Sequence, residues 1–437
     1  MSVSDYDVVI VGAGLAGLAA ARRCVAADLD VCVLEANVHA GGRTFSQVKD
    51  GLTLDLGAEW VESAYHDAVV RELDRYGLEL DAPEVPASPY WAIGDLVERR
   101  PSGLIGVAEE GFRALCVSID ADVARIDADD PRWHEAAAEF DIPMTDYLDR
   151  FTPDAAVRAQ FLRHCFALFG SDEASYSAMY ALHEFAAFGS CEEAFTSETA
   201  RVKGGTMKIA ESIAEGLGER LRLGTTVDRI STVDGPSPVR VFTSDGAMTA
   251  RAVIVAVPVN ALRGIDLEVP LSAAEREVIA TGHSGAVVKV WLRTADLPEP
   301  YWSFGWPDVP ESYGRSVPGG QQIGAFQLVT GADTSGAADR ALEVMQLRHP
   351  EVTFDDETIH HDWINDPLTR GTWCTPAPGQ ATGLYELAAE SGPCFFAGGD
   401  LSRRWAGWMD GALTSGEDAA ERCAAYIGHQ AVPEVAG

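Results

Sequence analysis

Gly12, Gly14 and Gly17 follow the apolar run Asp7-Val8-Val9-Ile10-Val11, and Glu35 closes a second run, Val31-Cys32-Val33-Leu34. Between a strand and a helix, this spacing lets the chain turn tightly at Gly12. It brings backbone against a pyrophosphate at Gly14 and packs helix on sheet at Gly17, with phosphate charge at the positive end of the helix. An acid at the tip of the second strand can accept both hydroxyls of an adenosine ribose. Glycine spacing alone is equally that of an ordinary turn; strand, helix and terminal acid together point to a dinucleotide site. Gly41-Gly42-Arg43 then supplies a flexible turn and a guanidinium suited to a second pass along the same pyrophosphate. Asp55-Leu56-Gly57-Ala58-Glu59-Trp60 adds another glycine for close approach. Farther along, Lys289 interrupts the apolar run Ala286–Trp291, where a buried lysine is costly unless paired. Taken alone, it reads as an edge residue whose amine reaches water.

The elements that must position these residues alternate along the chain. Residues 1–78 read as a first nucleotide-binding unit, ending in an amphipathic helix over 66–76 with Gly77 as its stop. Helical patterns dominate 79–198, with helices predicted over 112–127, 144–150, 155–169 and 175–188. Lys203-Gly204-Gly205-Thr206-Met207 opens a helix reaching 217. Strands over 221–230, 239–243 and 252–257 follow, the last ended by Pro258. Strand patterns prevail over 284–383, at 286–293, 301–306, 323–330 and 358–363; such a sheet could floor a pocket roofed by the earlier helices. A buried strand at 394–397 enters Gly398-Gly399-Asp400, and a last helix runs over 410–427. The expected organisation is a discontinuous nucleotide domain of 1–78, 199–283 and 384–437 interleaved with a substrate domain of 79–198 and 284–383.

The 437 residues suit two such domains. With 33 Lys and Arg against 67 Asp and Glu, the net charge of −34 argues against nucleic acid or anionic membranes as partners. The start Met1-Ser2-Val3-Ser4-Asp5-Tyr6 lacks the basic and apolar stretches of a signal peptide, and no run approaches the ~18 apolar residues of a spanning helix. A cytoplasmic protein is expected. Eight cysteines lie scattered without a Cys-x-x-Cys pair, which argues for reduced core thiols rather than disulfides or zinc. His360 and His361 would point to opposite faces of a strand, so no metal is expected.

These motifs resemble the flavin-binding amine oxidase superfamily and, within it, the monoamine oxidase family. The closing segment carries the resemblance further: Phe396-Ala397-Gly398-Gly399-Asp400, then Trp405-Ala406-Gly407-Trp408-Met409-Asp410-Gly411-Ala412, then Ser415-Gly416-Glu417. The resemblance implies an α/β fold in which a Rossmann-like FAD-binding domain of the glutathione-reductase type is interleaved with an α+β substrate domain. It places Gly12, Gly14, Gly17, Glu35, Gly42, Arg43, Gly57, Ala58, Val227, Gly399, Asp400 and Met409 at FAD. Asp400 stands where Glu is usual and would contact a ribityl hydroxyl; the Met409 backbone would face the pyrimidine edge of the ring. Trp373 and Trp408 would form an aromatic slot that aligns a neutral amine, although core packing is the better reading of either alone. The lysine matching Lys289 holds a water at flavin N5. Thr372 occupies the position of the flavin-linked cysteine of the mammalian enzymes, so noncovalent FAD is implied. No second glycine fingerprint occurs, which leaves an acceptor other than NADPH to reoxidise the flavin.

Glu62 resembles the acid that plant polyamine oxidases place beside a cationic substrate; a solvated loop residue is the plainer alternative. The segments Phe140–Tyr147, Gln160-Phe161-Leu162 and His361–Leu368 are similar to the bacterial 6-hydroxynicotine oxidases, a branch of the family. The chain departs from that branch at Ala167, where an Asn is expected, and at Trp60 and Trp408, where tyrosines are expected. Trp60, Glu62, Ala167, Trp373 and Trp408 are the implied substrate contacts. The implied reaction is hydride transfer from the α-carbon of a cyclic secondary or alkylaryl amine to flavin N5, giving an imine and, with O2, hydrogen peroxide, as in alkaloid catabolism. Polyamine, diamine or primary monoamine oxidation, or a dehydrogenase passing electrons to a carrier protein, stay open as alternatives, as does a homodimer. Lys289 and both tryptophans speak against a partner-binding relative without catalysis.

Overall fold

The computed structural model describes residues 4–83, 85–93, 96–104, 106–235, 237–329, 333–389 and 392–430. Strand Tyr6–Val11 sits inside an eight-stranded sheet, and Val8, Val9 and Ile10 are fully buried. Both faces of this strand are covered, which is why it reads as a continuous apolar run rather than an alternating one. The order across the sheet is Leu221–Arg222, Val31–Leu34, Tyr6–Val11, Gly246–Val255, Val239–Thr243, Val227–Thr232 and Asp266–Glu268, with Cys394–Phe396 also paired to Gly246–Val255. Val31–Leu34, Tyr6–Val11, Cys394–Phe396 and the end of Gly246–Val255 run parallel, so their carboxyl ends share one edge. Ligands bind at such an edge in parallel α/β sheets.

Helices Leu15–Ala26, Met207–Leu217 and Met409–Gln430 cover one face of this sheet, with Leu18, Ile213 and Leu413 in a shared core. Helices Ala273–Thr281 and Ala381–Ala389 cover the other. A second, seven-stranded sheet has the order Ile359–His360, Val287–Thr294, Gly320–Leu328, Glu311–Val317, Trp302–Phe304, Tyr90–Ile93 and Leu96–Arg99. Side chains alternate across its strand Val287–Thr294. Val288, Val290 and Leu292 pack with Ala341, Val344 and Met345 of helix Ala337–Arg348, while Trp291 joins Tyr313 and Phe326 on the opposite face. Helices Val107–Val123, Met144–Asp149, Ala155–Phe169, Ala178–Phe188 and Cys191–Thr196 form a separate apolar block.

Several elements differ from expectation. The strand read over 221–230 is two strands at different places in the sheet, separated at Gly224, whose φ of +67° breaks the run. The strand read from 252 begins at Gly246, because its partly exposed first half pairs with Val239–Thr243. The helical stretch contains the hairpin Tyr90–Ile93 and Leu96–Arg99, and the strand-rich stretch contains helix Ala337–Arg348. Strand Glu311–Val317 escapes sequence reading because its composition is polar, yet it lies inside the second sheet. The helix expected at 112–127 is Val107–Val123, and the strand at 358–363 shortens to Ile359–His360. Thr330 and the tail beyond 430 lie outside the described residues. All eight cysteines are buried. Among the described residues, no helix is long and apolar enough to cross a membrane, and no group of three His, Cys, Asp or Glu could hold a metal.

The first and last helices meet through glycine. A Cβ on Gly416 would lie 2.1 Å from the Ala16 carbonyl oxygen, whereas a Cβ on Gly428 of the same helix would meet nothing within 4 Å. Gly416→Ala should therefore lower stability by about 1–3 kcal/mol through overpacking. Gly428→Ala should raise it by about 0.4–1 kcal/mol. Urea midpoints measure both, and equal shifts would contradict the close packing.

Candidate active site

A cavity of about 840 Å³ runs from the glycine turn of the first sheet to the inner face of the second. Gly12, Gly14, Glu35, Gly42, Arg43, Val227, Gly399 and Met409 line it toward the first sheet. Gly57, Ala58, Trp60, Glu62, Ala167, Lys289, Trp373 and Trp408 line it as well. Two sequence-derived candidates do not reach it. Gly17 packs instead: a Cβ there would lie 1.9 Å from the Gly12 carbonyl oxygen, which fits the packing role expected of it. The carboxylate of Asp400 accepts hydrogen bonds from Arg43 Nη2 at 2.7 Å and the Val259 amide at 2.8 Å. It holds protein rather than facing the cavity, so at this turn only backbone, at Gly398 and Gly399, is presented to a ligand.

The first-sheet end fits an adenine dinucleotide. The Gly41 amide donates to the Ala13 carbonyl at 2.8 Å, fastening the Gly-Gly-Arg turn onto the glycine turn. A Cβ on Gly14 would find only the Gly41 oxygen, 4.0 Å away, so backbone there is open to close approach. Glu35 accepts from the Ala13 amide at 2.6 Å and the Asn37 amide at 2.8 Å. A carboxylate has about four acceptor sites, which leaves two for ribose hydroxyls. Helices Leu15–Ala26 and Met409–Gln430 both start at the cavity wall, so two positive helix ends open onto it.

At the other end, Lys289 has buried partners. Its Nζ donates to Glu59 Oε2 and to the Asp55 carbonyl, each at 2.9 Å, and the pair is almost fully buried. The Tyr313 hydroxyl also donates to Glu59 Oε2. Burial works against ionisation of Glu59, but Lys289, Arg315 and Tyr313 hold its carboxyl below the usual range. Glu59 Oε1 remains a buried acceptor without a partner among the described residues, on the wall that Lys289 shares. Glu59 escaped sequence reading as a site residue because its significance depends on a partner 230 residues away.

Trp373 and Trp408 are each fixed by the indole N–H. Trp373 Nε1 donates to the Leu168 carbonyl at 2.9 Å, and its ring lies where a Cβ on Gly170 would come within 2.2 Å. Trp408 Nε1 donates to Glu184 Oε1 at 2.8 Å, and its ring meets His66 at 4.7 Å. Burial pushes Glu184 up to about 8 and Glu62 up to about 7. Burial also lowers His66 to about 3, so it is neutral. Its Nδ1 accepts from the Glu62 amide at 3.1 Å. Glu184 was missed, although a single acid in the apolar helix Ala178–Phe188 is the same kind of signal as Lys289 in its strand.

Fold and cavity define a dinucleotide-binding protein whose cavity is lined by aromatic residues at the end away from the first sheet. The chain matches the flavin containing amine oxidoreductase family over residues 15–424 and belongs to it. It is an FAD-dependent enzyme that acts on amines. It is 29% identical to pseudooxynicotine dehydrogenase of a Pseudomonas species, over 97% of this chain and 87% of that protein. It is 27% identical to (S)-6-hydroxynicotine oxidase of Paenarthrobacter nicotinovorans, over 94% and 98%. Its fold is similar to that of wild-type putrescine oxidase bound to putrescine, with a TM-score of 0.84, 25% identity, and coverage of 95% of this chain and 98% of that one.

Lys289→Met should cost about 3–5 kcal/mol, because it strands the Glu59 charge. Adding Glu59→Gln should recover part of that loss in urea unfolding, and strictly additive losses would contradict the pairing. Glu62 and Glu184 keep protons in the folded protein that the unfolded chain gives up. Their contribution to stability is complete below the ordinary glutamate range and is lost as pH rises through about 7 and about 8. The thermal midpoint of Glu184→Gln should therefore fall less than that of the wild type between pH 6 and 9; parallel curves would refute the assignment.

Proposed function

We propose that the enzyme oxidises a compact cyclic secondary or alkylaryl amine, with O2 as electron acceptor. The observation that carries this reading is the pair of indoles, Trp373 and Trp408, each anchored by its N–H and facing the cavity that Lys289 also lines. Their faces offer a slot for an uncharged amine and a cation–π surface for its ammonium form. Phe166, Trp302, Phe304 and Phe326 extend the apolar wall and exclude water. FAD supplies the two-electron acceptor for the hydrogen on the amine α-carbon. The substrate leaves as an imine, which water hydrolyses outside the slot. The Lys289–Glu59 pair holds a fixed ammonium at the cavity wall, and on this reading that ammonium orients a water there. Hydrogen peroxide is the expected reduced product.

The nicotine-derived names of two relatives support the alkaloid-type substrate. One observation favours a second reading, a diamine: Glu62 lines the cavity with Oε2 unpartnered among the described residues. Noncovalent attachment of FAD is supported by Thr372 facing the cavity while the Cys374 thiol points to the Asp400 carbonyl oxygen at 3.7 Å. On this reading residues 1–78, 199–283 and 384–437 make the cofactor domain, 79–198 and 284–383 make the substrate domain, and the enzyme works in the cytoplasm.

Anaerobic flavin bleaching by cyclic secondary amines, primary monoamines, diamines and polyamines tests the substrate class. Compact cyclic or alkylaryl amines should bleach fastest, and fastest bleaching by spermidine or putrescine would overturn the ranking. Turnover in air should match or exceed turnover under argon with an artificial acceptor; the reverse would make the enzyme a dehydrogenase. Because the slot takes the neutral amine, kcat/KM should rise from pH 7 to 9, and its inflection should follow the pKa of the amine used. Glu184→Gln should leave that tracking in place, whereas a flat profile would contradict neutral-amine binding.

A further inference from the structure

The two tryptophans of the proposed slot are held by unlike acceptors. Trp373 donates its indole N–H to the Leu168 carbonyl, a fixed dipole, whereas Trp408 donates to the Glu184 carboxyl, which can change charge. Trp408 is half-buried and lines the cavity. Glu184 is 7% exposed and is not among the lining residues, so it acts on a ligand through the indole and through its charge rather than by contact. The His66 ring lies 4.7 Å from the Trp408 ring, tilted by 55°, and is itself 5.2 Å from the Trp405 ring. The N–H bond and the ring contact together fix a torsion that is otherwise broad for an aromatic side chain.

Glu184 is the one acid of helix Ala178–Phe188. Burial raises it to about 8; the Trp408 N–H works against that rise, and the Glu62 charge adds to it. Cys165 of helix Ala155–Phe169 stands near it with a thiol that burial keeps protonated, and His66, against the Trp408 ring, is neutral. Among the described residues no cation acts on Glu184, and helices Val107–Val123 and Cys191–Thr196, packed on the same helix, contribute no group that does. A buried carboxyl with no cation beside it ionises only when the pH rises or a positive charge arrives.

We propose that Glu184 is a positioning residue that sets the Trp408 ring through the indole N–H and, as a carboxylate, makes that wall the one that holds the ammonium form of the amine. The assignment rests on the reading of an amine held between Trp373 and Trp408. An ionised acceptor strengthens the N–H bond and polarises the indole, which deepens the negative potential of the ring face. The linkage is reciprocal: a cation on that face favours loss of the Glu184 proton, and an uncharged ligand does not. This wall serves capture of the cation that predominates at neutral pH; the ammonium still loses its proton before oxidation.

N-methylpyridinium, whose charge is fixed, and toluene, its uncharged isostere, test this in the holoenzyme, with binding read from the flavin spectrum. Glu62 lines the cavity and titrates at about 7, so Glu62→Gln isolates Glu184. In that variant the affinity for N-methylpyridinium relative to toluene should rise about 10-fold from pH 6 to 9. The inflection should lie at or below about 8, because the Glu62 charge no longer raises Glu184. Adding Glu184→Gln should flatten the profile and leave toluene binding within about twofold, since the amide oxygen still accepts the indole N–H. Glu184→Leu should weaken toluene about 5-fold or more, since the ring loses its anchor. A flat profile in Glu62→Gln, a rise that survives Glu184→Gln, or equal toluene binding in the glutamine and leucine variants would overturn the assignment. Should the variants fail to fold, calorimetry of the wild type at pH 8 in two buffers decides: N-methylpyridinium should release protons and toluene none, and no release refutes the role. Both ligands should also slow anaerobic bleaching by an oxidisable amine. Competition with a flat pH profile overturns Glu184 alone, whereas no binding, or binding without competition, overturns the slot reading with it.

Discussion

Arg43 is the knot on which the cavity depends. Its Nη2 pairs with buried Asp400 at 2.7 Å, and its Nη1 donates to the Thr372 carbonyl at 2.6 Å. Its own carbonyl accepts the Ala58 amide at 2.9 Å, where a Cβ on Gly57 would collide with it. Asp400 in turn accepts the Val259 amide. One residue, through its side chain and its carbonyl, thus fastens the Gly-Gly-Arg turn, the Asp55–Trp60 segment, the loop carrying Trp373 and the turn leading to Trp408. Burial disfavours the Asp400 charge, but Arg43 and the Val259 amide outweigh it and hold the carboxyl below its ordinary range. A buried charge that loses its partner is strongly unfavourable, so these segments are held together rather than merely adjacent.

The two sheets divide the work around that knot. The first presents mostly backbone, in glycine turns, strand ends and helix starts that suit phosphates, with the Glu35 carboxylate beside them. The second presents side chains from one face of a strand whose other face is packed against helix Ala337–Arg348. Because side chains alternate, Val287–Thr294 builds a core on one side and part of the cavity wall on the other. Lys289 on that wall is held by its buried partner Glu59, and Trp408, elsewhere on the cavity, by Glu184. Glu62 and Glu184 sit where burial favours their protonated forms, so the region around Trp408 carries less negative charge than its composition implies.

The glycine fingerprint, Glu35 and the Gly-Gly-Arg turn were legible from local spacing, whereas Lys289 and the two tryptophans were singled out by the family resemblance; all of them but Gly17 line the cavity. Helix Ala155–Phe169 was legible to the residue. Strand Glu311–Val317 was not, because its polar composition is compensated by neighbouring strands rather than by its own pattern. The side chain of Asp400 was expected to serve a ligand and is instead turned toward Arg43 and Val259, an orientation no local pattern encodes.

The sequence by itself determined the dinucleotide turn, which follows from short-range geometry, and, through the motifs it shares with the family, the cofactor class. Only the tertiary structure decided which polar groups meet: Glu59 with Lys289, Glu184 with Trp408. The reason is physical. Such pairs join residues far apart in the chain, and their protonation and strength depend on burial, which no single segment specifies.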